Sequence, residues 1–421
     1  MSSALLTDMY ELTMLRAALA GGTAHRRAVF EVFARRLPAG RRYGVVAGTG
    51  RVLEAIEAFR FGEPELEFLQ HVVDPPTLSF LADFRFSGDV YGYREGETYY
   101  PGSPIMVVEG TFAEAVVLET VVLSILNHDC AIASAASRMT HAAQGRPLIE
   151  MGSRRTHERA AVAAARAAYL CGFATTSNLQ AGREYGLPTA GTSAHAFTLL
   201  HDSEEAAFRA QIDALGLSTT LLVDTYSVEE AVRTAVKLAG GDLGAVRIDS
   251  GDLGVVAIEV RRQLDSLGAD RTRIVVTGDL DEHAIAALAA APVDGYGVGT
   301  KLVTGSGAPT ANLVYKLVDR EDATGAMKPV AKTSVGKPSR GGRKWAYRSV
   351  SGGLAVGEIV ANHPDDSLGR PLLTPLVRAG EIVGREPLDD ARARHEESMR
   401  ELPQIAHSLS PGDPAVPTIF S

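Results

Sequence analysis

Between Arg146 and about Asp319 the sequence repeats one unit: a short apolar run rich in small or β-branched residues, a polar glycine-containing break, and an alanine-rich amphipathic stretch. Each unit reads as strand, loop and helix. The strand candidates are PLIEM, GFATTS, LPTAGTS, TLLVDT, AVRID, RIVVTG, DGYGVG and ANLVYKLV; helix candidates include His157 to Cys171, Val228 to Ala239, Leu253 to Leu267 and Asp281 to Ala291. Strands that alternate with helices call for a parallel sheet, and about eight such units favour a closed (β/α) barrel over an open doubly wound sheet. The link after GFATTS is the weakest repeat.

The flanks have a different rhythm. RAVFEVFAR, FSGDVYGY and SPIMVVEGTF precede the repeats, and KPVAKTS, RKWAYRSV and GGLAVGEIV follow them. The expectation is an α/β chain with a barrel domain over residues 131–325 and a mixed α/β domain drawn from residues 1–130 and 326–421. Residues 402–421, with Pro and Ser and little periodicity, read as an extended surface tail.

The 421 residues are 45% hydrophobic, enough for a large core. A net charge of −9, from 42 Lys plus Arg and 51 Asp plus Glu, disfavours general attraction to nucleic acid or an anionic membrane but leaves room for a local anion site. The longest apolar run, Ala115 to Leu126, is broken by Glu119 and too short to span a bilayer, so it reads as buried core. Cys130 and Cys171 are too few for a disulfide scaffold and fit a reducing compartment; with Asp8 and Glu11 where a secretion signal would be basic and apolar, the expectation is cytoplasmic.

In barrels of this kind chemistry sits at the carboxyl ends of the strands. Polar residues at those places are Arg154, Ser177, Thr192, His195, Asp224, Arg247, Asp249, Ser250, Asp252, Gly278, Asp279, Gly299, Thr300 and Lys316. His195 in TAGTSAHAF is either a hydrogen-bonded helix-start histidine or, as its rim position favours, a proton exchanger or nucleophile. In AVRIDSGDL, Arg247 and Asp249 share a strand face; the Arg247 fork suits a carboxylate, though a structural Arg–Asp pair is the alternative. Asp252 reads as a helix cap. The glycines of VTGDLDEH and GYGVGTKL let backbone N–H groups approach an anion, which suggests a phosphorylated substrate, and Asp279 could hold Mg²⁺ or cap a helix. Arg154 and Arg155 open a helix and could neutralise phosphate or face solvent. The basic run Lys337 to Lys344 reads as a solvated hairpin unless it meets phosphate. In TDMYELTM, Thr7 or Asp8 would cap a helix, and Tyr10, if exposed, could stack on a planar heterocycle.

No GxxxxGK[ST] loop occurs and no GxGxxG opens a helix after a strand, so kinase and dehydrogenase readings fall. In chain order, LLTDMYELTM, FARRLP followed by Tyr43, IEMGSRRTHE, GTSAHAF, RIDSGDL, GVGTKL and KTSVGKPSRGGRKWAYR make up a specific set. From about residue 5 to about 380 the chain closely resembles the nicotinate phosphoribosyltransferase family.

The resemblance implies an irregular (β/α) barrel packed on an α/β domain formed by both chain ends, usually in a homodimer. It implies an ATP-dependent ligase that joins nicotinate and 5-phosphoribosyl 1-diphosphate into nicotinate mononucleotide and diphosphate, the first step of NAD salvage from nicotinate. By similarity His195 is transiently phosphorylated by ATP, Thr192 and Arg247 hold nicotinate, and Tyr10 stacks on it from the partner subunit. Arg154, Asp249, Gly278, Asp279, Gly299 and Thr300 would line the phosphoribosyl diphosphate pocket, with Mg²⁺ on ligands the resemblance does not assign. Nicotinamide-using relatives carry an aspartate where this chain has Ser177, so nicotinate is favoured over its amide. No nucleic acid or membrane partner is implied.

Overall fold

The computed structural model describes residues 2–333 and 339–421, which form two compact units: the chain through Ser134 together with Ala308–Ser421, and Ala135–Gly307. Lys337, in the basic run, lies outside the described residues.

The Ala135–Gly307 unit is built on six parallel strands, Leu148–Glu150, Thr175–Thr176, Thr220–Leu222, Ala245–Ile248, Arg273–Gly278 and Gly295–Val298. The last pairs with the first, Tyr296 opposite Leu148, so the sheet curls back on its beginning. It stays open between Thr175–Thr176 and Thr220–Leu222, and the result is a partial barrel with six strands where eight were expected. Two candidates account for the difference. LPTAGTS contributes one bridge, Thr189 to Thr176, because only Leu187 in it is buried and Gly191, Thr192 and Ser193 offer no apolar pair to fill a two-sided strand. ANLVYKLV forms Leu313–Glu321 in the other unit, antiparallel to Arg27–Ala34. Residues of that strand are only partly covered, whereas Gly295–Val298 is buried throughout, as a parallel barrel strand must be.

The helices begin where side chains can satisfy the free N–H groups of a first turn. Ser227 caps Val228–Ala239, Asp252 caps Leu253–Ser266, Asp281 caps Glu282–Ala287 and Ser203 caps Glu204–Leu215. Alanines of Glu158–Leu170 are small enough to be buried almost completely along the helix. Inside the barrel space is equally tight: a Cβ on Gly297 would stand 2.4 Å from the Thr277 methyl and 2.8 Å from the Met151 sulfur.

In the other unit a seven-stranded antiparallel sheet runs in the order Met327–Pro329, Leu313–Glu321, Arg27–Ala34, Met106–Thr111, Asp89–Gly92, Thr374–Arg378 and Glu381–Ile382. Trp345–Ser351 and Leu354–Ala361 belong to a second sheet, joined by Arg370–Pro371 and by Thr418–Phe420. The last strand corrects the expectation of a loose tail: Thr418–Phe420 pairs in parallel with Leu354–Ala361, and Val416, Leu402 and Ala406 are buried. No helix among the described residues is long and apolar enough to cross a membrane.

Ion pairs fasten the two ends of the chain together. Arg348 and Glu358, both wholly buried, meet at 2.7 Å, and the same guanidinium donates to the Thr98 hydroxyl and carbonyl at 2.9 and 2.7 Å. Lys344 meets Glu31 at 2.8 Å in the core, and Arg343 meets Glu109 at 2.9 Å while lying 4.0 Å over the Trp345 ring. This consumes the basic end of the Lys337 to Lys344 run in structure. Buried pairs of this kind specify register more than they stabilise, but breaking one leaves a charge without a partner. Glu358→Ala is therefore expected to lower unfolding free energy by about 3–5 kcal/mol in urea titrations. Replacing both partners with apolar residues (Arg348→Met with Glu358→Leu) should cost less than the single change, because no charge is then left buried, although Thr98 and the Tyr93 phenol lose a partner. A cost below about 1 kcal/mol for Glu358→Ala would show that Arg348 does not depend on its carboxylate.

Candidate active site

Because the six strands are parallel, their carboxyl ends open on one side of the sheet, and the following loops deliver polar side chains there. The centre of the cluster is Asp224, two residues beyond Thr220–Leu222. Its Oδ2 accepts the Asp249 backbone N–H at 2.9 Å and the Ser250 hydroxyl at 2.7 Å. Its other oxygen, Oδ1, is buried without a hydrogen bond and faces His195 Nε2 at 3.9 Å. The opposite ring nitrogen, Nδ1, is 3.1 Å from the Thr225 hydroxyl. His195 opens the short helix His195–Leu200 and remains 41% exposed at the side chain, so a carboxylate and a hydroxyl set the ring while solute can still reach it.

Arg247 stands on the neighbouring strand Ala245–Ile248. One guanidinium nitrogen donates to the Thr192 hydroxyl and, at 3.3 Å, to the Ser193 carbonyl, tying down the segment that failed to become a strand. Burial pulls the Arg247 guanidinium below its usual pKa and Arg154 adds to this, while Asp249 and Asp224 oppose it. An arginine remains charged regardless. Arg247 Nε, buried and unbonded, is a donor still to be used. Asp249 in turn accepts the Thr277 hydroxyl.

At the next strand end Gly278 has φ +141, a region that strains any residue with a side chain, and Asp279 follows it exposed. Gly299 precedes the short helix Thr300–Val303, and a Cβ there would approach the Met151 carbonyl oxygen to 3.4 Å. Arg154 and Arg155 are exposed after the first strand, beside Ser153, which accepts from Asn178 at 3.0 Å. Glu150 is buried and accepts from the Gly152 N–H and the Thr176 hydroxyl, and burial raises its pKa. Ser177 is exposed and donates its N–H to the Glu150 carbonyl at 2.8 Å.

The structure thus joins Arg247 to Thr192 and, through Asp224, His195 to Asp249, and it sets Gly278, Asp279, Gly299, Thr300 and Arg154 on other strand ends of the same sheet. Lys316 is corrected: it lies on the antiparallel strand Leu313–Glu321, 3.9 Å from Glu119. Tyr10, 45% exposed, opens the helix Met9–Ala20 of that same unit beside Glu119. Thr225 and Thr277 were not singled out from sequence. Each adjoins a residue that was, Asp224 and Gly278, and their hydroxyls at strand ends were the available signal. Among the described residues no group of three or more His, Cys, Asp and Glu is arranged to hold a metal.

Two family models match the chain: the nicotinate phosphoribosyltransferase N-terminal domain over residues 5–127, and the nicotinate phosphoribosyltransferase family over residues 147–348. Nicotinate phosphoribosyltransferase pncB1 of Mycobacterium tuberculosis is 60% identical, over 98% of this chain and 94% of its own. The Bacillus subtilis nicotinate phosphoribosyltransferase is 36% identical over 83% of this chain and 74% of its own. Among solved structures, human nicotinic acid phosphoribosyltransferase superposes with a TM-score of 0.83 at 26% identity, covering 99% of this chain and 97% of that one.

The Arg247 bonds are charge-assisted and should dominate the order of the Thr192 segment. Arg247→Ala is expected to speed amide hydrogen exchange across Gly191 to His195 by roughly tenfold or more. Unchanged exchange there would mean that the segment is held by something else.

Proposed function

The chain belongs to the nicotinate phosphoribosyltransferase family, and from that membership and the site geometry we propose that it makes nicotinate mononucleotide and diphosphate from nicotinate and 5-phosphoribosyl 1-diphosphate, with ATP hydrolysis coupled through a phosphohistidine at His195. The observation that carries this reading is the Asp224–His195 pair beside the Arg247-anchored Thr192.

In the transfer step the ring nitrogen of nicotinate forms the bond to ribose C1 as the C1–O bond to diphosphate breaks and the leaving group takes the electron pair. Positive charge grows on the sugar and negative charge on diphosphate. Arg247 and Thr192 hold the nicotinate carboxylate, with the partner subunit's Tyr10 stacked on the ring. Arg154 and the backbone of Gly278, Gly299 and Thr300 receive phosphate oxygens, while the Asp249 carboxylate faces the ribosyl side. Ser177 brings no negative charge against the carboxylate of nicotinate, which favours the acid over the amide.

In the coupling step a nitrogen of His195 attacks the γ-phosphorus of ATP. The N–P bond forms, the bridging P–O bond breaks and ADP departs with its electrons. Asp224 stabilises positive charge on the ring and holds its orientation. Water later cleaves the N–P bond, returning phosphate and imidazole.

Mg²⁺ supplies charge neutralisation on the polyphosphates when bound. The donor set suits an ion carried in by substrate oxygens and met by one or two carboxylates, Asp249 and Asp279, rather than an all-protein cage. A homodimer with shared active sites belongs to the same reading. It is supported by apolar surface on each unit, at Leu5, Leu6, Met9 and Tyr10 and at Leu179, Leu199, Leu200 and Tyr226. A cytoplasmic setting fits two buried cysteines, Cys130 and Cys171, that form no disulfide.

His195→Ala is expected to abolish ATP hydrolysis and its stimulation of nucleotide formation while retaining slow ATP-independent transfer. Radiolabel from γ-labelled ATP should appear on the parent protein in an acid-labile, base-stable bond and be lost in the variant. Full ATP stimulation in His195→Ala would remove the phosphohistidine.

A further inference from the structure

We propose that Glu282 is a positioning residue that holds the two phosphate-facing loops of the Ala135–Gly307 unit, residues 278–281 and 299–307, at a fixed separation. The proposal rests on the reading of these loops as the phosphoribosyl diphosphate pocket and says what keeps them in register.

The loops leave neighbouring strands. Arg273–Gly278 and Gly295–Val298 pair in parallel, and their register ends with Gly278 opposite Val298, so the spacing of the chain beyond is left to side chains. Glu282 supplies the tie. It is 3% exposed and opens the helix Glu282–Ala287, three positions after Asp279. Its Oε2 accepts the Ser306 hydroxyl at 2.6 Å, and its Oε1 accepts Arg138 Nε at 3.0 Å. Arg138, also buried, stands on the helix Glu119–Ala143, in the part that belongs to this unit. One carboxylate oxygen is thus held by a framework helix while the other fixes a residue of the second loop. Because both charges are buried, parting them is costly and the carboxylate is not free to shift.

From Ser306 the connection runs back to the pocket. The Gly307 N–H donates to the Thr304 carbonyl at 3.2 Å, and the Thr304 hydroxyl and N–H donate to the Thr300 carbonyl at 2.8 and 3.1 Å. Thr300–Val303 and the turn Gly305–Gly307 therefore move as one piece. On the other side Asp281 accepts the N–H groups of His283 and Ala284 at 3.0 and 2.9 Å, and Leu280 is buried, which pins the chain behind Asp279. The turn itself shows what the Ser306 side chain is for. Gly305, Ser306 and Gly307 have φ of +61°, +52° and +86°, angles that glycine adopts freely and that a Cβ resists. A serine between two glycines bears that cost, and its hydroxyl makes the bond to Glu282. Phosphoribosyl diphosphate carries phosphate on both sides of its ribose, so an error in loop spacing weakens this substrate and leaves the base untouched.

The test is steady-state kinetics with urea denaturation on the full-length protein carrying Ser306→Ala, Glu282→Ala, Glu282→Gln or Ser306→Ala with Glu282→Ala. Ser306→Ala removes one hydroxyl and keeps the Arg138–Glu282 pair, so it should fold as the parent does. It should raise KM for phosphoribosyl diphosphate about three- to tenfold, with KM for nicotinate little altered. Glu282→Ala should do at least as much, and the double variant no more than Glu282→Ala alone. In Glu282→Gln the amide can accept from Arg138 and donate to the Ser306 hydroxyl. Its KM for phosphoribosyl diphosphate should therefore stay within about twofold of the parent, even as the lost charge lowers the unfolding midpoint. A parent-like KM for phosphoribosyl diphosphate in Ser306→Ala overturns the proposal even if Glu282→Ala fails to fold. So does a rise that falls equally on both substrates, or a Glu282→Gln variant as impaired as Glu282→Ala. Amide hydrogen exchange of the parent separates the premise, since phosphoribosyl diphosphate should slow exchange in residues 278–281 and 299–304. No protection in either loop removes the phosphate reading itself, whereas protection of both with a silent Ser306→Ala overturns the positioning role alone.

Discussion

The Asp224 carboxylate is the interaction on which the rest of the site depends. One oxygen receives the backbone of Asp249 and the hydroxyl of Ser250, which locks the end of one strand to the end of the next. The other is withheld from any hydrogen bond and turned toward His195. A buried acceptor left unbonded is costly, and such costs are tolerated where the group has a charge to meet. In the proposed cycle that charge comes and goes on the imidazole. The carboxylate cannot drift to follow it, because its first oxygen is already committed to the framework.

A partial barrel suits this arrangement. Full closure would bury Thr192 and Ser193 as strand residues, with their backbone groups spent on ladders. The opening between Thr175–Thr176 and Thr220–Leu222 instead leaves the segment in reach of Arg247, which gathers its hydroxyl and carbonyl at the rim. The site is thus assembled around the opening in the sheet. In the other unit the order is reversed: sheets drawn from distant parts of the chain are registered by the buried pairs of Arg348 with Glu358 and Lys344 with Glu31, and polar groups are kept for structure.

The barrel helices were legible because their signals are local. Asp252 announced a helix start, and alanine-rich amphipathic stretches marked the others, so Val228–Ala239 runs as read and Leu253–Ser266 ends one residue sooner. Site residues were legible where a strand end and a reactive side chain coincide, as at Asp249 and, through its rim position, His195. The misreadings arose where tertiary pairing decides. ANLVYKLV has the composition of a barrel strand, and only its partner Arg27–Ala34 reveals the other sheet, which removes Lys316 from the rim. LPTAGTS lost its strand to missing apolar pairs, and the tail gained one because Leu354–Ala361 offers Thr418–Phe420 an edge. The relation of Asp224 to His195 spans 29 positions along the chain and no spacing rule predicts it.

The most direct measurement is nucleotide formation from 5-phosphoribosyl 1-diphosphate and Mg²⁺ with nicotinate or nicotinamide, each with and without ATP. Nicotinate mononucleotide as the product, formed faster when ATP is present, is the expected result. Preference for nicotinamide would contradict the role given to Ser177, and absence of product with either base would contradict the enzyme itself.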